Sequence, residues 1–187
     1  MITIDVQKGF HDPHWGNRNQ PDCEKNIETC LRFWRAQNLP IIHVKHRSLE
    51  DDSPLRPERP GFQFMDFLVP EANERIIEKT VNSAFIGTDL EKILKESNFE
   101  NLVFVGFTSD HCVSTSCRMG ANLGFSCTIV SDAVATFDRT HASGEIFPAE
   151  LVHRVGLASL SGEFAEIRDT HSLTLNRNVM QSRTHDR

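Results

Sequence analysis

Hydrophobic and polar positions along this chain follow two rhythms. Short β-rich runs, such as Met-Ile-Thr-Ile at 1–4 and Asn-Leu-Val-Phe-Val-Gly-Phe at 101–107, are separated by stretches in which apolar residues recur every three or four positions. Ile27, Cys30, Leu31 and Trp34 stand at the i, i+3, i+4, i+7 spacing of one buried helix face, which predicts a helix over 22–37 with Asp22 as N-cap. Pro40 blocks its continuation. Thr88 followed by Glu91 has capping-box spacing, and Leu90, Ile93 and Leu94 supply the apolar stripe behind it. Further helices are predicted at 112–123 and 148–160, and strands at 1–5, 40–46, 75–79, 101–107, 126–131 and 164–168. The near-continuous apolar run at 101–107 is that of a strand buried on both faces. Such alternation predicts a three-layer α/β fold, a mostly parallel sheet flanked by helices and joined by right-handed crossovers.

Two regions break the rhythm. Residues 47–74 hold Pro54, Pro57, Pro60, Gly61 and Pro70 with little periodicity, and irregular connections of that length are usually functional or disordered. Phe62, Phe64 and Phe67 would be costly to leave in water, so the segment is expected to fold over the sheet edge or into a subunit contact. The other is a polar C-terminal tail, 171–187, set apart from a domain at 1–170 and expected to be partly mobile.

A chain of 187 residues suits one domain with a substantial core. No apolar run reaches membrane-spanning length, and the start lacks a basic region followed by an apolar core, so a cytoplasmic location is expected. Five cysteines, an odd number without a CxxC pair, argue against a disulfide framework. A formal charge of −6 with scattered basic residues gives no footprint for nucleic acid, which leaves a small molecule as the expected partner.

Three polar residues follow β-rich runs: Asp5, Lys79 and Cys112. In a parallel sheet the carboxyl ends of the strands share one edge, so residues distant in sequence can meet there. Gly106 is expected to permit an abrupt turn that puts Cys112 at the first turn of the next helix, where free N–H groups and the helix dipole favour thiolate and can receive an oxyanion. Taken alone, Cys112 could equally be a buried small hydrophobe, and that is the reading for Cys23, Cys30, Cys117 and Cys127. An aspartate and a lysine converging on it tip the balance toward chemistry, because a carboxylate can carry protons while an ammonium keeps it ionised.

The segments Ile4-Asp-Val-Gln-Lys-Gly-Phe10, Glu78-Lys-Thr-Val-Asn-Ser-Ala-Phe85 and Gly106-Phe-Thr-Ser-Asp-His-Cys-Val113, with Arg118 and Gly124, resemble those of the isochorismatase-like cysteine hydrolases, a superfamily that includes nicotinamidases and N-carbamoyl amidases. The resemblance spans about residues 4–170. It implies the isochorismatase-type α/β fold, an Asp5, Lys79, Cys112 triad, a cis peptide near Phe107-Thr108 and an oxyanion hole made by the backbone N–H groups of Thr108 and Cys112. Metal-dependent relatives carry an Asp-Trp-His type motif where this chain has His43-Val-Lys-His46. On an extended strand those two histidines point to opposite faces, so no metal or other cofactor is expected and packed or hydrogen-bonded histidines are. Relatives that cleave a vinyl ether generally lack the cysteine, so its presence favours covalent attack on an amide, lactam or carbamoyl group.

Candidates for the pocket wall are Phe10, Trp15, Asn82, Phe85 and His111, with Phe10 equally plausible as core. Asp138, Arg139, Glu150 and His153 are polar positions without a derivable role. The competing readings are a vinyl ether hydrolase, a scaffold that has lost turnover and a redox-sensing thiol protein; Cys117 lies five residues along the helix from Cys112, poorly placed to resolve an oxidised sulfur. The resemblance also implies a homodimer or larger assembly.

Overall fold

The computed structural model describes residues 1–175. Its elements in chain order are β1 (Ile2–Ile4), α1 (Cys23–Ala36), β2 (Ile42–His46), β3 (Arg75–Lys79), α2 (Leu90–Glu96), β4 (Asn101–Phe107), α3 (Cys112–Asn122), β5 (Ser126–Ala135), β6 (Arg139–Thr140), β7 (Ile146–Phe147), α4 (Ala149–Leu160), β8 (Glu166–Arg168) and α5 (Thr170–Leu175). Six strands form one sheet in the order β3-β2-β1-β4-β5-β8, and every pairing in it is parallel. The short β6 and β7 pair antiparallel beside it. The expected three-layer α/β architecture is the one observed.

Strand parity explains the layers. Ile2, Ile4, Ile42, Val44, Leu102 and Phe104 face a core shared with α2 and α3, while Val103, Val105 and Phe107 face Ile27, Cys30, Leu31 and Trp34 of α1. Both sheet faces are thus covered, as an all-parallel sheet requires. No helix among the described residues is long and apolar enough to cross a membrane.

Several expected boundaries shift. β2 begins at Ile42 rather than at Pro40, and β8 at Glu166 rather than at 164. β5 runs on to Ala135 because its register against β4 slips between Phe104 and Gly106, which lets a second stretch, Val134 and Ala135, pair again. The reciprocal capping box of Thr88 and Glu91 does not form: Asp89 is the N-cap of α2, and the Thr88 hydroxyl accepts from the Leu90 N–H while donating to the Ala84 carbonyl. Asp22 stands at the N-cap of α1 without a side-chain capping bond.

The proline-rich connection folds over the sheet edge, one of the two expected outcomes. Its turn Pro60–Phe62 packs on the turn Lys8–His11, Met65 N–H donates to Val6 C=O, and Leu55, Phe62, Met65 and Leu68 are buried. Lys45 lies 3.7 Å from the centre of the Phe62 ring, which pairs the buried aromatic with a cation. α5 crosses the boundary drawn at residue 170, with Leu173 buried among the α1 residues. The remainder of the expected tail, 176–187, lies outside the described residues.

Candidate active site

β1, β3 and β4 end at one edge of the sheet, and Asp5, Lys79 and Cys112 meet there. Asp5 follows β1 directly at φ 52°, a left-handed conformation that aspartate tolerates better than most residues. Its N–H donates to Val44 C=O, so pairing with β2 holds the turn. Lys79 is the last residue of β3, and its ammonium donates to Asp5 Oδ2 at 2.7 Å and to Cys112 Sγ at 3.2 Å. Cys112 is the first residue of α3, after a turn made of Thr108, Ser109, Asp110 and His111.

Gly106 acts differently from the expected turn-former. It sits inside β4 at φ 121°, and a Cβ there would lie 2.0 Å from the Ile4 carbonyl oxygen. It permits the close approach of β4 to β1, and through it of the Cys112 turn to Asp5. The Phe107-Thr108 peptide is cis. The Thr108 carbonyl accepts from the His111 and Val113 N–H groups, closing the turn. Among the described residues neither the Thr108 N–H nor the Cys112 N–H has an acceptor.

Electrostatically the site is a buried cluster with one dominant cation. Burial alone would lower the Lys79 pKa, but the Asp5 carboxylate and Cys112 outweigh it and keep the ammonium charged. The thiol of Cys112 is pushed well above its ordinary value, by burial first and by the Asp5 charge second, with Lys79 opposing. This corrects the expectation of a resting thiolate: the helix start and the lysine favour it, yet desolvation beside a carboxylate wins. The second Asp5 oxygen, Oδ1, is buried and has no hydrogen-bond partner.

The other candidates divide. Asn82 Oδ1 lies 3.5 Å from Cys112 Sγ, and its loop is tied to α3 by Ser116, whose hydroxyl accepts from Ala84 N–H and donates to Asn82 C=O. Phe85 is not brought to the site: it is buried in the α2–α3 core and stacks on Phe125, because its apolar spacing serves the helix layer. Phe10 is core too, stacked on Phe107 at 5.1 Å. Trp15 is half-buried over that cluster and donates to Gly9 C=O. The His111 side chain is exposed and lies 3.5 Å from Asp110.

Other residues, to which the sequence reading gave no part in the site, lie in it or around it. His46 closes β2 and stands opposite Lys79 in the β2–β3 register, with Nδ1 3.1 Å from the ammonium. Donor atoms of Asp5, His46 and Cys112 lie within 4.8 Å of one another, a set that could hold a metal ion; Lys79 Nζ bonds to all three. His43, by contrast, is packed between Thr3 and Glu74, on the other side of the strand as its spacing from His46 predicts. Arg139 grips the carboxylate of Asp110 through two nitrogens, and the Thr136 hydroxyl donates to the same group. Together they brace the turn from behind. Asp138 accepts from Asn17 and from the N–H of Ala149, and His153 contacts Ser109. Glu150 stands in the first turn of α4. The hollow lined by Lys95, Phe99 and Leu123 lies at the opposite edge of the sheet.

Fold and site together describe an α/β protein in which Asp5 and Lys79, at strand ends, meet a cysteine at the start of a helix. The model of the Isochorismatase domain matches residues 1–172. The chain is 41% identical over 173 residues to the uncharacterized isochorismatase family protein YrdC of Bacillus subtilis, covering 92% of each chain. An isochorismatase-family crystal structure from Chromobacterium violaceum superposes with a TM-score of 0.89 at 38% identity, over 93% of this chain and 90% of that one. The ureidoacrylate amidohydrolase RutB of Acinetobacter baylyi is 32% identical over 111 residues, 59% of this chain and 41% of its own length. The chain belongs to the isochorismatase family of hydrolases.

Proposed function

We propose that this protein is a cysteine hydrolase that cleaves a carbon–nitrogen bond of a small molecule, in an amide, lactam or carbamoyl group, through a thioester acyl-enzyme. The observation that carries the reading is the contact set of Lys79, whose buried ammonium touches both the Asp5 carboxylate and the Cys112 sulfur. The resting site holds a thiol, a carboxylate and an ammonium. Asp5, with one oxygen unpartnered, takes the thiol proton as sulfur attacks the carbonyl carbon, and Lys79 balances the charge that passes between them. The Thr108 and Cys112 N–H groups receive the oxyanion, a contribution of about 3 kcal/mol for each donor in comparable sites. Asp5 returns the proton to the departing amine or ammonia, leaving the thioester. Water, giving a proton to Asp5, then displaces the sulfur, and that proton returns to the thiol as the acid departs.

The name of the amidohydrolase relative supports this choice of bond. Asn82, exposed yet within reach of the sulfur, is the candidate named from sequence whose side chain touches the nucleophile. The reading requires no cofactor, and a homodimer or larger assembly is part of it. The test is a panel of primary amides, ureido acids and lactams followed for release of ammonia and carboxylate. Turnover by the wild type and its loss in Cys112→Ala is the expected result; equal turnover by a folded Cys112→Ala protein would remove the covalent scheme.

A further inference from the structure

Lys79 has three N–H bonds to give, and three acceptors surround them: Asp5 Oδ2 at 2.7 Å, His46 Nδ1 at 3.1 Å and Cys112 Sγ at 3.2 Å. We propose that His46 is a positioning residue of this site, a neutral imidazole protonated on Nε2 whose Nδ1 lone pair holds the third N–H of Lys79 and so aims the other two at Asp5 and Cys112. An ammonium is a compact charge on a flexible stem. With two bonds it can still swing about the line joining its partners, and a third acceptor off that line removes this freedom. The inference rests on the proposed role of Lys79 and extends it to the group that orients it.

The fold builds His46 into this place from its backbone outward. Its register partner across β2 and β3 is Lys79 itself. Gln7, fully buried, accepts from the His46 N–H at 2.7 Å and donates to the His46 C=O at 3.1 Å and the Phe62 C=O at 3.0 Å. One side chain from the end of β1 therefore locks the end of β2 and the overlying connection together. His43 is the contrasting case of a purely structural histidine, with both ring nitrogens engaged, by Thr3 and by Glu74. At His46 only Nδ1 is engaged among the described residues; the ring is half-buried, and Nε2 is not one of the sealed, unpartnered atoms. Its N–H is thus open to water or to a bound molecule.

The charges facing the ring keep it neutral. Lys79 of β3, Asp5 just after β1, Cys112 of α3 and Glu50 of the connection surround it, and its pKa falls below the ordinary value through burial first and the Lys79 charge second, against the pull of Asp5 and Glu50. A protonated ring would lose the lone pair and set two cations against each other.

Two-bond hydrogen–nitrogen correlation spectra of protein labelled with nitrogen-15 histidine, with His46 assigned by its loss in His46→Asn, read the tautomer directly. Expected at neutral pH is a protonated Nε2 and a bare Nδ1 whose resonance shifts in Lys79→Met. The opposite tautomer, an imidazolium, or an Nδ1 signal indifferent to Lys79→Met overturns the proposal. Alkylation of Cys112 by iodoacetamide gives a second readout. His46→Phe, which keeps a ring without an acceptor, should slow it roughly 10- to 100-fold, the range of one hydrogen bond to a charged group, while His46→Asn, whose Oδ1 can stand in for Nδ1, should recover most of the loss. Equal losses in the two variants would assign His46 to packing alone. On any amide the wild type turns over, kcat should follow the same order with KM changed far less. An amide panel that gives no turnover would defeat the proposed reaction while the tautomer and the alkylation rates still decide the place of His46.

Discussion

Lys79 carries the electrostatics of the cleft. Its ammonium and the Asp5 carboxylate are both fully buried, 2.7 Å apart. Removing one member of such a pair strands the other, at a typical cost of about 3–5 kcal/mol. Lys79→Met should therefore lose stability of that size, read as a shift in the denaturant midpoint, and lose turnover with it; unchanged stability would mean that Asp5 is not held as an anion. Asp5, Lys79 and Cys112 are legible in the sequence because each closes or follows an apolar run that reads as a strand. His46 is not, since its contact with Lys79 depends on the register of β2 against β3, and its spacing from His43 points only to opposite faces. Phe85 misleads for the converse reason: proximity to Lys79 in sequence says nothing about which way an apolar ring turns.

The strand β4, its turn and the start of α3 form the element that presents Cys112. Gly106 is its tightest point: alanine there would drive a Cβ to 2.0 Å from the Ile4 carbonyl at φ 121°. Gly106→Ala should cost at least about 4 kcal/mol, among the largest single-site effects, and show up as loss of soluble folded protein or a sharp fall in Tm. The turn is braced by Asp110, whose pKa is held near 2: burial would raise it, and the bonds from Arg139 and Thr136, with the positive charge nearby, more than compensate. A carboxylate depressed in the folded state stabilises fully above its unfolded value of 3.8, and that contribution is lost as pH falls toward about 2. The stability of Asp110→Asn should vary less with pH across this window than that of the wild type, with matching slopes as the contrary result. The helix starts and strand cores are legible from periodicity. The extension of β5 is not, because it depends on a register slip against β4, and neither is the failed capping box at Thr88, whose hydroxyl is drawn to the Ala84 carbonyl one turn back.

At the scale of the whole molecule, the parallel order β3-β2-β1-β4-β5-β8 brings three distant strand ends to one edge, and the proline-rich connection covers part of it. That connection is seated by two glycines: a Cβ on Gly61 would meet the Pro54 carbonyl oxygen at 2.3 Å and the Gly9 Cα at 2.8 Å. Gly61→Ala should loosen the connection and, through Gln7 and Phe62, the end of β2, seen as faster hydrogen exchange at His46 N–H; unchanged exchange would separate the connection from the site. The sheet and its layers are legible because alternation of strand and helix dictates them. The path of residues 47–74 is not, since proline-rich sequence fixes no direction, although its aromatics require cover. The most direct test of the central claim is rapid acid quenching during turnover of any accepted amide, followed by mass measurement of the intact protein and its peptides. An added mass equal to the acyl group, on Cys112 alone among the five cysteines, is predicted. Steady turnover with Cys112 unmodified at every quench time, together with full activity in Cys112→Ala, would contradict it.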